Sequence, residues 1–395
     1  MVMPKFKIPF SGVGAKYSEE EKAAVMNAMD ASNTYTQGPH QESFQNNFSE
    51  YIGVDFSLAT SSAAAALELA AIVLQLKPGD EVICPAHTYC ASAYPFAKHG
   101  AKLVWADIDP ETWVIDPESI KSLITSKTRA VIAVHLYGLP APMEAIKQLT
   151  ENEDIVVIED CAQSIGSTIN GKRVGSFGDM SIFSFQSHKN ISTLGEGGML
   201  CYGNREWAKI LPGLRHNGHA PFPVGREHYW KPAMNNVDFD IDGVWPSNFC
   251  IGEVQCALGE AMLPRIELLN DDRRDRFYKF KREMARYADV KVQNIPKGYL
   301  STHHLMPFRF KSSKATSDEL IEILAYRFGI QAIVQYYPLN RYPLFKKSGF
   351  GDANIPNTDD FFDNMVSLPF HHWLSEPDFD YIIQSLQIAL DEFND

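Results

Sequence analysis

Lys189 stands in SIFSFQSHKNISTLGEGGM (Ser181–Met199), shortly after an apolar strand pattern and just before a glycine-rich turn. A lysine held there is partly desolvated, and desolvation lowers an ammonium pKa towards the range in which the neutral amine can form an imine. Alone, such a lysine is an ordinary loop residue. A second element, VVIEDCAQSIG, places Asp160 and Gln163 at the end of another apolar run. An Asp at that place is either an ordinary strand-end residue or the partner of a buried cation, such as a protonated pyridine ring. A third, Ser61-Ser62-Ala63-Ala64, opens a helix whose free N–H groups and dipole suit a phosphate.

The elements that must position these groups follow from the hydrophobic pattern. Between residues 55 and 203, short β-branched and aromatic runs (FSLAT, EVICPA, KLVWADI, RAVIAVHLYG, DIVVIEDCA, DMSIFSF, GGMLCYG) alternate with helical patterns. That alternation predicts an α/β fold, a mostly parallel sheet covered by helices. The run SAAAALELAAIVLQL, Ser62 to Leu76, reads as a helix beginning just past a strand's carboxyl end, where open α/β sheets bind ligands. Past residue 260 long charged helices and a few strand-like pieces such as HLMPFRF predict a smaller α+β domain. The expected division is a large cofactor-binding domain over 1–260, including the N-terminal segment, and a small C-terminal domain over 261–395. Pro212 to Trp245, rich in Gly, Pro, His and aromatics, reads as a long surface segment.

Composition narrows the function classes. With 395 residues, 45% of them hydrophobic, the chain can bury a sizeable core, and a net charge of −13 argues against a non-specific nucleic-acid binder. No apolar run is long enough to span a bilayer and the N-terminus lacks an export-signal pattern, so the expectation is a cytoplasmic enzyme with no membrane partner. The six scattered cysteines form no CxxC pair and read as buried free thiols rather than disulfides or a metal site. GSTINGK (Gly166 to Lys172) imitates a phosphate loop, but Arg173 stands where Ser or Thr must bind magnesium, and Asn170-Gly171 reads as a tight hairpin turn. No GxGxxG follows a strand. The pairs His303-His304 and His371-His372 read as structural, since neighbours on a strand point to opposite faces.

Taken together, the ordered motifs YTQGPHQESF, PGDEVICPAHTYCASA, VHLYGLPAPM, IEDCAQSIGS, FSFQSHKNISTLGEGGML and YYPLNRYPLF resemble the DegT/DnrJ/EryC1/StrS family of sugar aminotransferases, of fold type I among pyridoxal-phosphate enzymes. The resemblance implies that Lys189 is the Schiff-base lysine and proton shuttle and that Asp160 partners the ring nitrogen. It further implies Gln163 near the ring hydroxyl, Tyr89 stacked on the ring, Ser184 on the phosphate, and donors from Ser62, Ala63 and Ala64. Asn248 matches an asparagine that reaches the neighbouring subunit's phosphate, which implies a homodimer with shared active sites. His188, Arg215, His216, His219, Gln335 and Tyr336 are the candidate substrate contacts. The implied reaction moves an amino group from glutamate, through the pyridoxamine phosphate form, to a nucleotide-linked keto sugar, a 4-keto-6-deoxy or 3-keto hexose, in amino-sugar biosynthesis such as that of lipopolysaccharide O-antigen.

The sequence departs from the family at SSAAAAL, which lacks a hydroxyl at position 64, at Cys250 in place of a basic residue, and at Gln335 and Asn340 in place of two histidines. Leu194 is an extra residue before the glycine-rich turn. Two rivals follow from the same motifs. A pyridoxamine-phosphate-dependent dehydratase would replace the Schiff-base lysine by histidine, and Lys189 is present. A non-catalytic regulatory member would have lost turnover, yet Lys189, Asp160, Gln163 and Ser184 are all retained.

Overall fold

The computed structural model describes residues 4–219, 228, 230–231, 234–241 and 243–394. Thirteen strands occur among them: β1 Phe56–Thr60, β2 Glu81–Pro85, β3 Lys102–Ala106, β4 Thr128–Val134, β5 Val156–Asp160, β6 Thr168–Ile169, β7 Lys172–Arg173, β8 Met180–Ser184, β9 Gly198–Tyr202, β10 Val290–Val292, β11 Tyr299–Leu300, β12 Met306–Phe310 and β13 Met365–Leu368. Each of the seven apolar runs read from the sequence supplies one strand of a seven-stranded sheet, ordered β1-β9-β8-β5-β4-β2-β3. The pairs β8/β5, β5/β4, β4/β2 and β2/β3 are parallel, whereas β9 runs against both β8 and β1. Six strands therefore end on the same edge, and β9 begins there.

Both faces of this sheet are buried, which is why its strands are continuously apolar rather than alternating. The helices α1 Glu19–Ala31, α2 Pro39–Ile52 and α3 Ala63–Val73 are the first three of the chain. Helix α3 is shorter than the expected 62–76, with Ser62 as its extended N-cap accepting from Ala65 N–H at 3.1 Å. It is apolar except for Glu68, which meets Lys98 and His99, and most of it lies in the core, with Leu67, Leu69, Ala70 and Ala71 at or near zero exposure. Truncating Leu69 to Ala would cost about 2–5 kcal/mol through the cavity left behind.

A separate apolar cluster surrounds the three-stranded sheet β10-β12-β13, built from Phe277, Phe280, Phe308, Leu320, Val366, Ile382 and Leu386 among others. Ile8 from the start of the chain joins it and pairs with Ile330, so the N-terminal segment packs on C-terminal residues. Asn170 and Gly171, with φ of 51° and 81°, form the two-residue turn between β6 and β7. Both sit in the left-handed region that the Asn-Gly hairpin signal demands.

The long surface segment expected from Pro212 to Trp245 begins inside a helix, its first four residues being helical. Residues Arg205–Arg215 are helical, with Asn204 capping Glu206 and Trp207 N–H groups and Pro212 inside the helix. Leu211 and Leu214 are buried in the main core, and that apolar anchoring outweighs the single backbone hydrogen bond a proline omits. Residues 220–227, 229, 232, 233 and 242 of the segment lie outside the described residues. All six cysteines are free thiols, four buried and Cys90 and Cys250 half-buried. Among the described residues no helix is long and apolar enough to cross a membrane.

Candidate active site

The strand ends bring the reactive groups together. At the end of β1, Thr60 Oγ1 donates to Ser62 O at 2.9 Å and sets the turn into α3, whose first N–H groups have no intrahelical acceptor. Ser184, last residue of β8, is paired with Gly198, first of β9, and Gly198 in turn with Thr60. A Cβ on Gly198 would stand 2.5 Å from Ala63 N, so only glycine lets β9 approach the helix start this closely.

On β5, Asp160 is 5% exposed yet fully engaged on one side: Ser92 Oγ donates to Oδ2 at 2.6 Å and Ala162 N–H to Oδ1 at 3.1 Å. Gln163 is oriented by Tyr137, whose N–H donates to Oε1 at 2.8 Å, leaving Nε2 to donate to Tyr336 Oη at 3.1 Å. Tyr137 adopts a left-handed φ of 61°, uncommon without a glycine, and is fully buried. Its hydroxyl donates to Gln335 O at 2.5 Å and so accepts from His87 Nε2 at 2.6 Å. Burial holds His87 neutral, with its pKa pushed down to about 3. The Tyr137 and Tyr336 rings stack at 6.3 Å, and the half-exposed Tyr89 ring meets Tyr336 edge-on at 6.0 Å.

Lys189 follows β8 in a loop tied by Ser187 N–H to Gly195 O at 2.9 Å and by its own N–H to Gln186 O at 2.8 Å. From the other side Gly14 N–H donates to Ser187 O at 2.8 Å, and a Cβ on Gly14 would fall on the carbonyls of His188 and Lys189. Burial pushes the Lys189 ammonium down to about 8, with Asp160 and then Glu196 opposing the shift. Roughly half the side chain is thus a neutral nucleophile near pH 8. His188 is pushed down by burial and by Lys189.

Ser62, Ser184, Asp160, Gln163, Tyr336 and Lys189 line one cavity of about 840 Å³. Residues 16–387 match the model of the DegT/DnrJ/EryC1/StrS aminotransferase family. The chain belongs to that family. GDP-perosamine synthase of Caulobacter vibrioides is 30% identical over 94% of this chain and 95% of its own. The UDP-N-acetyl-3-dehydro-alpha-D-glucosamine 3-aminotransferase of Acidithiobacillus ferrooxidans is 32% identical over 82% and 81%. Among solved structures, a provisionally named sugar aminotransferase, Spr1654 of Streptococcus pneumoniae in its PMP form, superposes with a TM-score of 0.86 at 29% identity, covering 98% of this chain and 100% of that one. This aminotransferase-family chain therefore has the fold-type-I architecture and is a pyridoxal-phosphate-dependent aminotransferase.

The cavity fits that cofactor group by group. A buried carboxylate on the cavity wall suits a protonated ring nitrogen, a lysine of lowered pKa suits an aldehyde, and a serine-flanked helix start suits a phosphate. Of the residues expected from the sequence, Ser62, Ala63, Ala64, Tyr89, Asp160, Gln163, Ser184, His188, Lys189, Gln335 and Tyr336 line the cavity. Arg215, His216, His219 and Asn248 do not. Arg215 is buried elsewhere, donating to Ala59 O at 2.8 Å and Gln45 Oε1 at 3.0 Å, where it ties α2 to β1. His216 bonds Gln37 and stacks on His219 at 4.3 Å, and His219 bonds Asn235. Asn248 is exposed and accepts from Cys250 N–H at 3.2 Å.

Sequence reasoning missed Ser92, Glu196, His304 and His371, all of which line the cavity. The histidine pairs had been read as structural, and for His303 that describes what is found: it is buried and stacked on Phe277 at 3.8 Å. Neither pair lies in a strand: His303 has a left-handed φ of 44°, and His371 and His372 follow the end of β13. The alternation assumed from the sequence therefore does not apply, and His304 and His371 reach the cavity wall from loops. His135, Glu159 and Cys161 offer ligand atoms within 4.8 Å of one another. The Glu159 oxygens, however, already accept from His135 Nε2 and from Gly175, Phe177 and Gly178 N–H groups at 2.6–3.0 Å, a set that satisfies the buried carboxylate by itself.

Proposed function

We propose that the enzyme transfers the amino group of glutamate to a nucleotide-linked keto sugar, a 4-keto-6-deoxy or 3-keto hexose, for amino-sugar biosynthesis such as that of O-antigen. The observation that carries this reading is Lys189, lowered to about 8, facing the buried Asp160 in a cavity of about 840 Å³. That volume lies towards the upper end of ligand sites, as a cofactor together with a sugar-sized substrate would need. The names of the two curated relatives, a GDP-linked and a UDP-linked sugar enzyme, support a nucleotide-linked acceptor.

When bound, pyridoxal phosphate supplies an electron sink for the bond broken at the amino-bearing carbon. In this reading Lys189 Nζ takes the proton from the donor's α-carbon and returns one to the adjacent position, and in the second half the order reverses. Asp160, held by Ser92 and Ala162, would keep a proton on the ring nitrogen. Ser62, Ser184 and the Ala63 and Ala64 N–H groups would hold the phosphate, Gln163 would serve the ring hydroxyl and Tyr89 would cover the ring. His188, Gln335 and Tyr336 belong to the substrate side. Arg215, His216, His219 and Asn248 lie outside their own chain's cavity, so any contact from Asn248 requires a second subunit; a cytoplasmic homodimer with shared sites is part of the proposal. The division near residue 260 also belongs to it, the C-terminal part lending Tyr336 and its neighbours to the site.

The test is a visible spectrum of the purified enzyme loaded with pyridoxal phosphate, bleached with glutamate, washed free of it and mixed with a panel of nucleotide-linked keto sugars. Return of the absorbance with one sugar identifies the acceptor. Bleaching without return from any of them refutes a nucleotide-sugar acceptor, and no absorbance at all refutes the role of Lys189.

A further inference from the structure

A chain of buried amides fixes the protonation of one histidine in the cavity. Ile165 O can only accept, and Asn270 Nδ2 donates to it at 2.9 Å, so Asn270 presents its oxygen to the other side. Asn190 Nδ2 donates to that oxygen at 2.8 Å, which turns Asn190 Oδ1 towards His304 Nδ1, 3.1 Å away. An amide oxygen requires a donor, so Nδ1 carries the hydrogen and Nε2 carries the lone pair. The packing leaves no slack for a flipped arrangement. Asn270 and Asn190 are 0% and 3% exposed, and Gly166, at φ 92°, has no room for a Cβ because Asn270 Nδ2 would lie 2.6 Å from it. The His304 backbone is fixed as well, its carbonyl accepting from Arg273 at 3.0 Å.

The His304 ring lines the cavity, and among the described residues Nε2 makes no hydrogen bond. Its partner in the chain, Asn190, is the residue after Lys189, and the Lys189 charge acts on the His304 ring in the cavity that both line. Burial together with the charges of Lys189 and Arg273 keeps the ring neutral, well below its ordinary range.

Resting on the reading of the cavity given above, we infer that His304 is a further substrate-binding residue, whose Nε2 is a fixed hydrogen-bond acceptor for the amino group of the incoming donor. With Lys189 engaged by the cofactor, the amine that needs an acceptor on this wall is the one arriving to displace it. A neutral lone pair receives that N–H without adding a second cation beside Lys189.

Two substitutions separate this role from a merely structural one. His304→Asn keeps a donor where Nδ1 stands, and hence the bond to Asn190, but removes the acceptor. His304→Gln abandons Asn190 and places an amide oxygen near the Nε2 position. The expected result is that His304→Asn takes up pyridoxal phosphate normally and needs about tenfold more glutamate to half-saturate the bleaching reaction, one hydrogen bond's worth. His304→Gln retains near-native saturation. The reverse order, Gln impaired and Asn native, overturns the inference and leaves His304 as a clamp on Asn190. A second readout needs no cofactor: nitrogen NMR of the cofactor-free protein with 15N-labelled histidine is expected to show a neutral Nδ1–H imidazole that vanishes in His304→Asn, separate from that of His219, whose Nδ1 faces Asn235 Oδ1 and which stays; an Nε2–H form for the signal lost in His304→Asn overturns the inference. If the wild-type enzyme fails to take up pyridoxal phosphate, the reading of the cavity fails, while the NMR arm still decides the tautomer.

Discussion

Ser92 Oγ lies 2.6 Å from Asp160 Oδ2, and no other described side chain donates to that carboxylate. The bond fixes the carboxylate plane, so Ser92→Ala should leave the fold intact and let Asp160 rotate away from the ring. A hydrogen bond to a charged group contributes about 1.5–3 kcal/mol. The expected outcome is a loss of roughly tenfold or more in the rate of the glutamate half-reaction, measured by stopped-flow absorbance, with Ser92→Thr recovering much of it.

Cofactor uptake should depend on pH through Lys189. Its pKa is lowered from 10.5 to about 8, and the neutral amine is the reactive form. Below pH 8 the uptake rate should therefore rise by about tenfold per pH unit, and above it level off. Glu196 favours the charged lysine, so Glu196→Gln should move the midpoint to lower pH. A midpoint that moves to higher pH instead would contradict the assignment of Glu196 as a stabilising neighbour of the ammonium.

The close approach of β9 to α3 gives a test of the phosphate end. Gly198→Ala would put a methyl group 2.5 Å from Ala63 N, and the helix start must shift. Overpacking of this kind costs about 1–3 kcal/mol. Equilibrium titration with pyridoxal phosphate should show affinity weakened by about tenfold, and excess cofactor should restore the half-reaction, because Lys189 and Asp160 are untouched.

Glu159 should carry part of the acid sensitivity of the fold. It is fully buried, and despite the opposing effect of burial, His135 and the backbone N–H groups hold its pKa below the ordinary 4.5. A depressed carboxylate stabilises the native state above pH 4.5, and that contribution is lost as pH falls through the lower folded value. Glu159→Gln should cost about 1.5–3 kcal/mol at pH 7, because it replaces hydrogen bonds to a charged acceptor and turns an NH2 towards N–H donors, and the gap to wild type should narrow in denaturant melts below pH 4.5.

The sheet was legible because each of its strands is a short apolar run bounded by turn residues, and the Asn170-Gly171 turn because only such residues adopt its φ values readily. Lys189, Asp160 and Ser62 were legible because they follow directly on those runs. Tyr336 came from a motif, but its stacking on Tyr137 did not, since the two lie about two hundred positions apart and no local pattern connects them. His304 and His371 remained hidden for a related reason. Both pairs lie outside the strands, and at 303–304 the chain is held by Phe277 against the His303 ring and by Arg273 on the His304 carbonyl, contacts from a distant helix that no local pattern announces. Ser92 gave no signal at all, because a serine after a strand is among the commonest residues in a turn.

The cavity wall is drawn from distant stretches of chain: Val13 and Gly14 near one end, Ser61 to Lys189 in the middle, and His304, Tyr336 and His371 towards the other. The large sheet with its strand ends, complete by Tyr202, is by itself an open trough that carries Lys189 and Asp160 on its floor; the residues past 300 turn that trough into a pocket.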